Sequence, residues 1–508
     1  MNGRIVLVRP SSVLSKGRVG SVSAAPPLGV AYLAAVLRQE RFPVSIVDGF
    51  GEAPRRVTEF PEFDVLGLRN EEIVERLPAD ATMFGFSSMF SNEWIYLRQL
   101  IASVKRRFPH GTMVLGGEHA SALPEYSLDS CSELDYVVTG EGETPIVQLA
   151  RACFAREQLQ SVGSLYYRQG GHIRFTAKQS RLKNITDLPF PAWDLLPAEN
   201  YLRDGIATIT RKGQRVMPML ASRGCPYACK FCSNPAMYGV NYYVRDVDNV
   251  IDEVRWLKDR YDISGFELHD LTFIIKRPWI KQFCHRLIEE GLQMQWNVPT
   301  TRSEAIDDEV VELLKESGCR NLCLTPDSGS PRMIKEMLKN VDLSKITHTA
   351  RTILTSGIVL KMNIVFGFPG ERHRDVWQSI VYGMRLSWYG IGTVLFYRFT
   401  PYPGSEYFEL LRRRGKLPDF GPEFDRFLVT NIYNELSEMR SYSEHISDRS
   451  IRLYLFLAYA LTQLTFFLRH PLQIFKTAAR VWQNVPESQS DLLILESLRR
   501  FRFRLLPW

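Results

Sequence analysis

The sequence predicts an α/β protein: a doubly wound parallel sheet, then a partial (β/α)6 TIM-like barrel, then a helical tail. Two observations predict the sheets. Short β-branched runs alternate with helix-spaced runs over residues 1–150, and the alternation resumes over 215–405. Composition is the third. The 508 residues, 45% hydrophobic and 23% charged, supply several cores and exclude a disordered chain, a collagen-like repeat or a small disulfide scaffold.

In the first alternation Ile5–Val8 is a short apolar run, and Leu28–Arg38 has helical composition. Val44–Val47 ends at Asp48-Gly49, Met83–Phe86 leads into Ser87-Ser88, and Trp94–Phe108 has helical spacing. Met113–Leu115 stops at Gly116-Gly117, Tyr136–Val138 stops at Gly140, and Thr144–Phe154 is again helical. Strands separated by helices form a Rossmann-like sheet covered on both faces. Ligands bind such sheets outside the carboxyl ends of the strands, where the Gly and Ser residues fall. Residues 151–214, with the Pro-rich stretch Asp187–Pro197, read as a connector.

The second alternation places strands at Met217–Ala221, Gly265–Leu268, Met294–Val298, Arg320–Leu324, Val359–Phe366 and Thr393–Phe399. Helices fall between them at Val247–Tyr261, Trp279–Glu290, Asp308–Ser317, Leu343–Thr355 and Val376–Leu386. Six such steps predict an open barrel whose carboxyl-terminal rim is the active face. Residues 406–508 read as helical, aromatic and basic.

The net charge is +7, and residues 440–508 hold ten Arg or Lys against five Asp or Glu. Most of the excess therefore lies in the tail, with Tyr454, Phe456, Tyr459, Phe466, Phe467, Phe475 and Trp482 followed by Arg499-Arg500-Phe501-Arg502-Phe503-Arg504. Packing against the barrel is the default role of these helices. The functional alternative is an interfacial helix that contacts the inner face of a membrane. Leu453–Leu468 is the longest uncharged apolar stretch; as a helix it measures about 24 Å, short of a hydrocarbon core of about 30 Å. Arg4 and Arg9 interrupt the first apolar run, so no secretory signal is expected. Nucleic-acid binding is disfavoured by the few basic residues and the lack of an RNA module.

Cys225, Cys229 and Cys232 crowd into eight positions, while the other five cysteines are scattered. The grouping points to a metal or redox site in a reducing, cytoplasmic compartment. Three thiolates on one loop suit a soft metal centre. A structural zinc would need a fourth ligand, and a second CxxC knuckle is missing. An iron–sulfur cube with one open iron accepts three ligands. The spacing favours the cube, with zinc and plain buried thiols as the alternatives.

Cys225-x3-Cys229-x2-Cys232, with Phe231 before the last Cys, resembles the radical S-adenosylmethionine (SAM) loop. Later segments follow in that superfamily's order: ELHDLTF (Glu267–Phe273), QWNVPTTR (Gln295–Arg302), LTPDSGS (Leu324–Ser330), IVFGFPGE (Ile364–Glu371) and PYPGS (Pro401–Ser405). PPLGVAYLAAVL (Pro26–Leu37), VLGGEHA (Val114–Ala120) and DYVVTGEGE (Asp135–Glu143) resemble the cobalamin-binding half of the B12-dependent radical SAM group. Two positions depart from the family pattern. Leu271 replaces the second acid of D-D-x-F, and Asp327 stands where Glu is expected.

The resemblance implies a [4Fe–4S] cluster on Cys225, Cys229 and Cys232, with one iron chelating SAM. It implies cleavage of SAM to a 5′-deoxyadenosyl radical, methyl transfer from cobalamin to an unactivated carbon, and an external flavodoxin- or ferredoxin-type electron donor. SAM contacts fall on Phe231, Asp270, Arg302, Asp327 and Asn363; Arg302 matches a carboxylate bidentately. Cobalamin contacts fall on Ser87, Ser88, Gly116, Gly117, Gly140 and Gly142. The D-x-H-x-x-G signature is missing and Arg9–Gly20 holds no His, so cobalamin is expected base-off without a protein imidazole. His269 reads as structural, His119 as part of a solvated loop, and Glu371 as support for a helix start. The substrate implied is small or lipid-like. Rival readings are oxidative cyclisation or rearrangement within the group and, outside it, a non-catalytic cobalamin- or zinc-binding regulator. A tRNA methylthiotransferase is disfavoured because residues 1–214 offer only Cys131 and Cys153.

Overall fold

The computed structural model describes residues 3–16, 25–155, 158–204, 214–432 and 439–482. The first sheet runs Val44–Asp48, Arg4–Arg9, Ala81–Ser87, Thr112–Gly116 and Tyr136–Val138, all parallel. Alternation along one strand covers both faces. Ile5 and Leu7 pack with helices Leu28–Gln39 and Glu143–Ala155, while Val6 and Val8 meet helix Trp94–Arg107 through the fully buried Trp94. Strand Arg4–Arg9 lies between strands that leave it in opposite directions, so its carboxyl end is a topological switch point.

Part of the 151–214 stretch is not a connector. Leu165–Gln169 and His172–Phe175 form a hairpin that extends the first sheet antiparallel to Tyr136–Val138. Ser12–Ser15, Val57–Glu59 and Phe63–Leu66 make a small antiparallel sheet that the sequence reading lacked.

The second sheet runs Val216–Met219, Gly265–Leu268, Gln295–Thr301, Cys319–Asp327, Val359–Phe366 and Thr393–Arg398, six parallel strands in chain order. This is the open barrel. Leu360, Met362, Ile364 and Phe366 are buried on its helix-covered outside, at roughly 1.5–3 kcal/mol each. Lys361, Asn363 and Val365 alternate with them and face the interior. Asp307 caps helix Asp308–Glu316 through Val310 N (3.0 Å), and Asp342 caps Leu343–Ser356 through Ser344 N (2.8 Å).

After the barrel, helix Pro422–Thr430 returns to the first domain, where Asp425 accepts from Tyr126 (2.5 Å) and pairs with Arg98 (2.6 Å). The apolar run Leu453–Leu468 is the middle of a longer helix, Asp448–Arg469, because the helix continues through the charged residues at both ends. At 22 residues it is long and apolar enough to cross a membrane, contrary to the length argument from sequence, and it is the one such helix among the described residues. Here it lies along the barrel. The Tyr459 hydroxyl accepts from Phe396 N (3.1 Å) and donates to Phe396 O (3.0 Å), which blocks the open edge strand. The run Arg499–Arg504 lies outside the described residues.

Candidate functional site

The three cysteines occupy the loop between strand Ser222–Gly224 and helix Asn234–Tyr238. Asp270 anchors its approach. This buried carboxylate accepts from Ala221 N (3.2 Å) and from the backbone and hydroxyl of Ser222, and burial pushes its pKa up to about 6. Lys230 N donates to Met337 O (3.1 Å), and Tyr407 N donates to Lys230 O (2.9 Å), so the loop tip is held from two sides. Cys232 N donates to Cys229 O (3.0 Å) and closes the turn.

Burial raises all three thiols, Cys232 to about 12; Cys229 also feels the charge of Cys225, and Cys232 feels both of the others. Lys339 and Arg302 oppose the shift at Cys225 and Cys229 without reversing it. Of the remaining barrel cysteines, Cys284 and Cys319 are buried in its wall, while Cys323, in register with Lys361, is near enough to feel Asp327 and Lys339. Among the described residues no three His, Cys, Asp or Glu side chains converge on a single-ion site. The three loop thiols are no exception, so the cube with an open corner rests on their spacing along one loop and not on a gathered set of donors.

Arg302 is buried beside this loop, not a surface ion pair. It pairs with Glu304, donates to Lys339 O (2.9 Å) and Asn340 O (3.3 Å), and lies 3.6 Å from the Tyr227 ring centroid. Its Nη1 is buried with no partner among the described residues, a donor available to a ligand. Asp327 pairs with the buried Lys339 at 2.5 Å, and Lys339 also sits 5.7 Å from the Phe231 ring. Asp327, Leu338 and Asn340 all have positive φ, 60°, 55° and 51°, so left-handed backbone gathers at the site. Asn363 Oδ1 is buried and unpartnered on the barrel's inner face. Phe231 packs 5.7 Å from Phe368. Glu371 accepts from Gly367 N (2.5 Å) and Phe368 N (3.2 Å), and burial pushes it up to about 8.

The carboxyl edge of the first sheet has a cradle. Gly117 has φ 116°, and a Cβ there would lie 2.6 Å from Ser88 O. Ser88 N donates to Gly116 O (2.7 Å), while Ser88 Oγ is buried with no partner. A Cβ on Gly116 would meet nothing nearer than 4.0 Å, so space lies in front of it. Ser87 ends strand Ala81–Ser87 beside it, half-buried. Gly140, φ 75°, donates to Ser121 Oγ (2.9 Å). Gly142 instead faces Leu33, where a Cβ would come within 3.1 Å, so its smallness serves helix packing. His119 is not in a solvated loop: it is buried, stacks on Trp94 at 5.0 Å, contacts Ser91 Oγ (3.0 Å) and is pushed down to about 3 by burial. The space before Gly116 and the orphaned Ser88 hydroxyl fit a large polar cofactor.

The two edges meet. Glu118, next to the glycine pair, contacts the hydroxyl of Ser233, next to Cys232. Ser121 Oγ approaches Met237 Sδ (3.2 Å). Arg223 pairs with Glu141 (3.3 Å) and Glu143 (2.8 Å), and Arg181 also pairs with Glu141 (3.2 Å). None of Glu118, Arg223, Lys339 or Tyr227 was legible as a site residue. Inside the barrel Asn321 donates to Asn297 (2.6 Å), and the Glu267 carboxylate accepts from His269 Nε2 (2.9 Å), giving that histidine a structural partner.

Two family models cover these two halves: the B12 binding domain matches residues 19–150 and the Radical SAM superfamily matches residues 219–382. The chain belongs to the B12-binding branch of the radical SAM superfamily, a family of enzymes. It is 28% identical over 80% of its length to an uncharacterized methyltransferase of Pyrococcus horikoshii, covering 82% of that protein. It is 24% identical over 82% of its length to the anaerobic magnesium-protoporphyrin IX monomethyl ester cyclase of Cereibacter sphaeroides, covering 65% of it. The fold resembles that of the radical SAM methyltransferase TsrM from Kitasatospora setae, solved with cobalamin and a [4Fe-4S] cluster (TM-score 0.66, 16% identity, 83% of this chain and 80% of that one).

Proposed function

We propose that this enzyme is a cobalamin-dependent radical SAM C-methyltransferase acting on an unactivated carbon of a small or lipid-like substrate. One observation carries the reading: the cysteine loop abuts the carboxyl edge of the B12-binding sheet through Glu118 and Ser233. The two cofactor edges therefore adjoin at this contact. When bound, the cluster with SAM supplies a hydrogen-abstracting radical and cobalamin supplies the methyl group.

The chain's own residues bind and orient. Cys225, Cys229 and Cys232 hold the cluster. The free Nη1 of Arg302 and the free Oδ1 of Asn363 are a donor and an acceptor for SAM, and Asp327 with Lys339 frames it. Ser88 Oγ and the space before Gly116 receive the cobalamin tail, with no imidazole from Arg9–Gly20. A flavodoxin- or ferredoxin-type protein delivers the electron. The P. horikoshii relative, named a methyltransferase and 82% covered at 28% identity, supports methyl transfer over the cyclase alternative, whose relative is 65% covered at 24% identity.

The test is anaerobic reconstitution with iron, sulfide and cobalamin, then reductant and SAM carrying a deuterated methyl group. The expected result is 5′-deoxyadenosine and methionine from one SAM, and S-adenosylhomocysteine from a second whose deuterated methyl is found on cobalamin. Stoichiometric zinc and no SAM cleavage would end the reading.

A further inference from the structure

We propose that the face formed by helices His373–Tyr389, Asp448–Arg469 and Leu472–Trp482 docks on the surface of an anionic phospholipid bilayer. Helix Asp448–Arg469 turns Ile451, Tyr454, Leu455, Ala458 and Thr462 into the protein. Its opposite stripe is just as apolar and has no cover among the described residues: Leu453, Phe456, Leu464 and Leu468 are between 56% and 71% exposed. An exposed single leucine is ordinary, but a continuous stripe of this kind marks a contact surface.

The neighbouring helix widens the stripe. Trp377, Val381 and Trp388 lie at helical spacing and are exposed. Trp377 meets Tyr454 at 5.9 Å, and Arg469 lies 5.6 Å from the Trp388 ring, so the helices run side by side with their bare stripes adjoining at both ends. Phe475 and Trp482, 72% and 91% exposed, continue the apolar surface on the next helix. Every exposed Trp among the described residues, three in all, is in this group. Indole rings favour the boundary between headgroups and acyl chains.

Charge selects the occupant. Residues 449–482 hold five Arg or Lys and no Asp or Glu. On His373–Tyr389 the exposed charges include Arg374 and Arg385, while Asp375 is buried against Arg332. Two copies pressed face to face would oppose cations to cations, whereas anionic headgroups would neutralise them. Arg449 and Arg452 sit at one end of the long helix and Arg469 and Lys476 at the other, placed to reach headgroups while the stripe enters the acyl boundary. Because Tyr459 holds this helix to the barrel edge, it lies on the bilayer and does not cross it. The inference is independent of the chemistry proposed above.

Flotation of the full-length protein with vesicles tests it. The protein should rise with vesicles of phosphatidylcholine mixed with phosphatidylglycerol, stay behind with phosphatidylcholine alone, and be partly released by salt. Phe456→Glu with Leu464→Glu should lower the bound fraction about tenfold. Val57→Glu, at an exposed apolar position of the first domain, should change nothing. Circular dichroism checks that the variants fold, and quenching of wild-type tryptophan fluorescence by brominated lipid gives a reading that needs no variant. Absence of flotation with anionic vesicles, equal binding by the Glu variant, or a wild-type dimer that the same variant dissociates would each overturn the proposal.

Discussion

Cys229 is the most buried of the three loop thiols, and it feels both Cys225 and the Lys339–Asp327 pair. Cys229→Ala should abolish SAM cleavage while cobalamin, held by a different domain, still binds; cobalamin absorbance after gel filtration checks it. Loss of both together would contradict separate cofactor domains. The Lys339–Asp327 pair makes a second expectation. Both side chains are about 10% exposed or less, so Lys339→Met leaves a buried carboxylate uncompensated and should cost about 3–5 kcal/mol. Adding Asp327→Asn should recover most of that in urea unfolding; equal losses in single and double variants would show that the pair is not coupled. The cysteines were legible because their spacing on one short loop is itself the signal. Lys339, Arg223 and Glu118 were not, since an isolated charge in a sequence reads as a surface residue until distant segments are brought around it.

The elements were legible in proportion to their length and periodicity. Val359–Phe366 alternates along eight residues and was placed to the residue, as was helix Val247–Tyr261 with its apolar face. The Leu165–Phe175 hairpin and the small sheet at Ser12–Ser15 were missed because strands of three to five mostly polar residues carry too few alternations. One turn between elements has a measurable consequence. Glu371 joins strand Val359–Phe366 to helix His373–Tyr389 by accepting from Gly367 N and Phe368 N. Its pKa rises from the usual 4.5 to about 8 in the folded chain, chiefly from burial. The folded state therefore holds a proton that the unfolded state releases. Its contribution to stability is complete below pH 4.5 and is lost as pH rises through about 8. Glu371→Gln keeps an acceptor but cannot ionise, so its urea midpoint should fall less than the wild type's across that window. Parallel midpoint curves would mean that Glu371 does not titrate there.

At the scale of the molecule, what the sequence could not reveal is that two domains share one boundary. Each half has its own pattern, but no periodicity records that the carboxyl edge of one sheet meets the cluster loop of the other. The ion network at that boundary supplies the test. Arg223, 7% exposed, faces Glu143 and Glu141 from the strand that leads into the cysteines. Glu141 keeps Arg181 if Arg223 is lost, but Glu143 has no second cation in the network. Arg223→Met should therefore strand one buried carboxylate at the junction and cost about 3–5 kcal/mol there. The penalty falls on the contact between domains and not on either core, so calorimetry should resolve the domains into separate transitions. Glu143→Gln on the same background should bring the transitions together again, because it removes the stranded charge. Cobalamin binding should survive in both variants, since Gly116, Gly117 and Ser88 lie on the first sheet's own edge. SAM cleavage uncoupled from methyl transfer is the corresponding kinetic signature. Unfolding that is unchanged by Arg223→Met would instead assign the cohesion of this boundary to apolar packing alone.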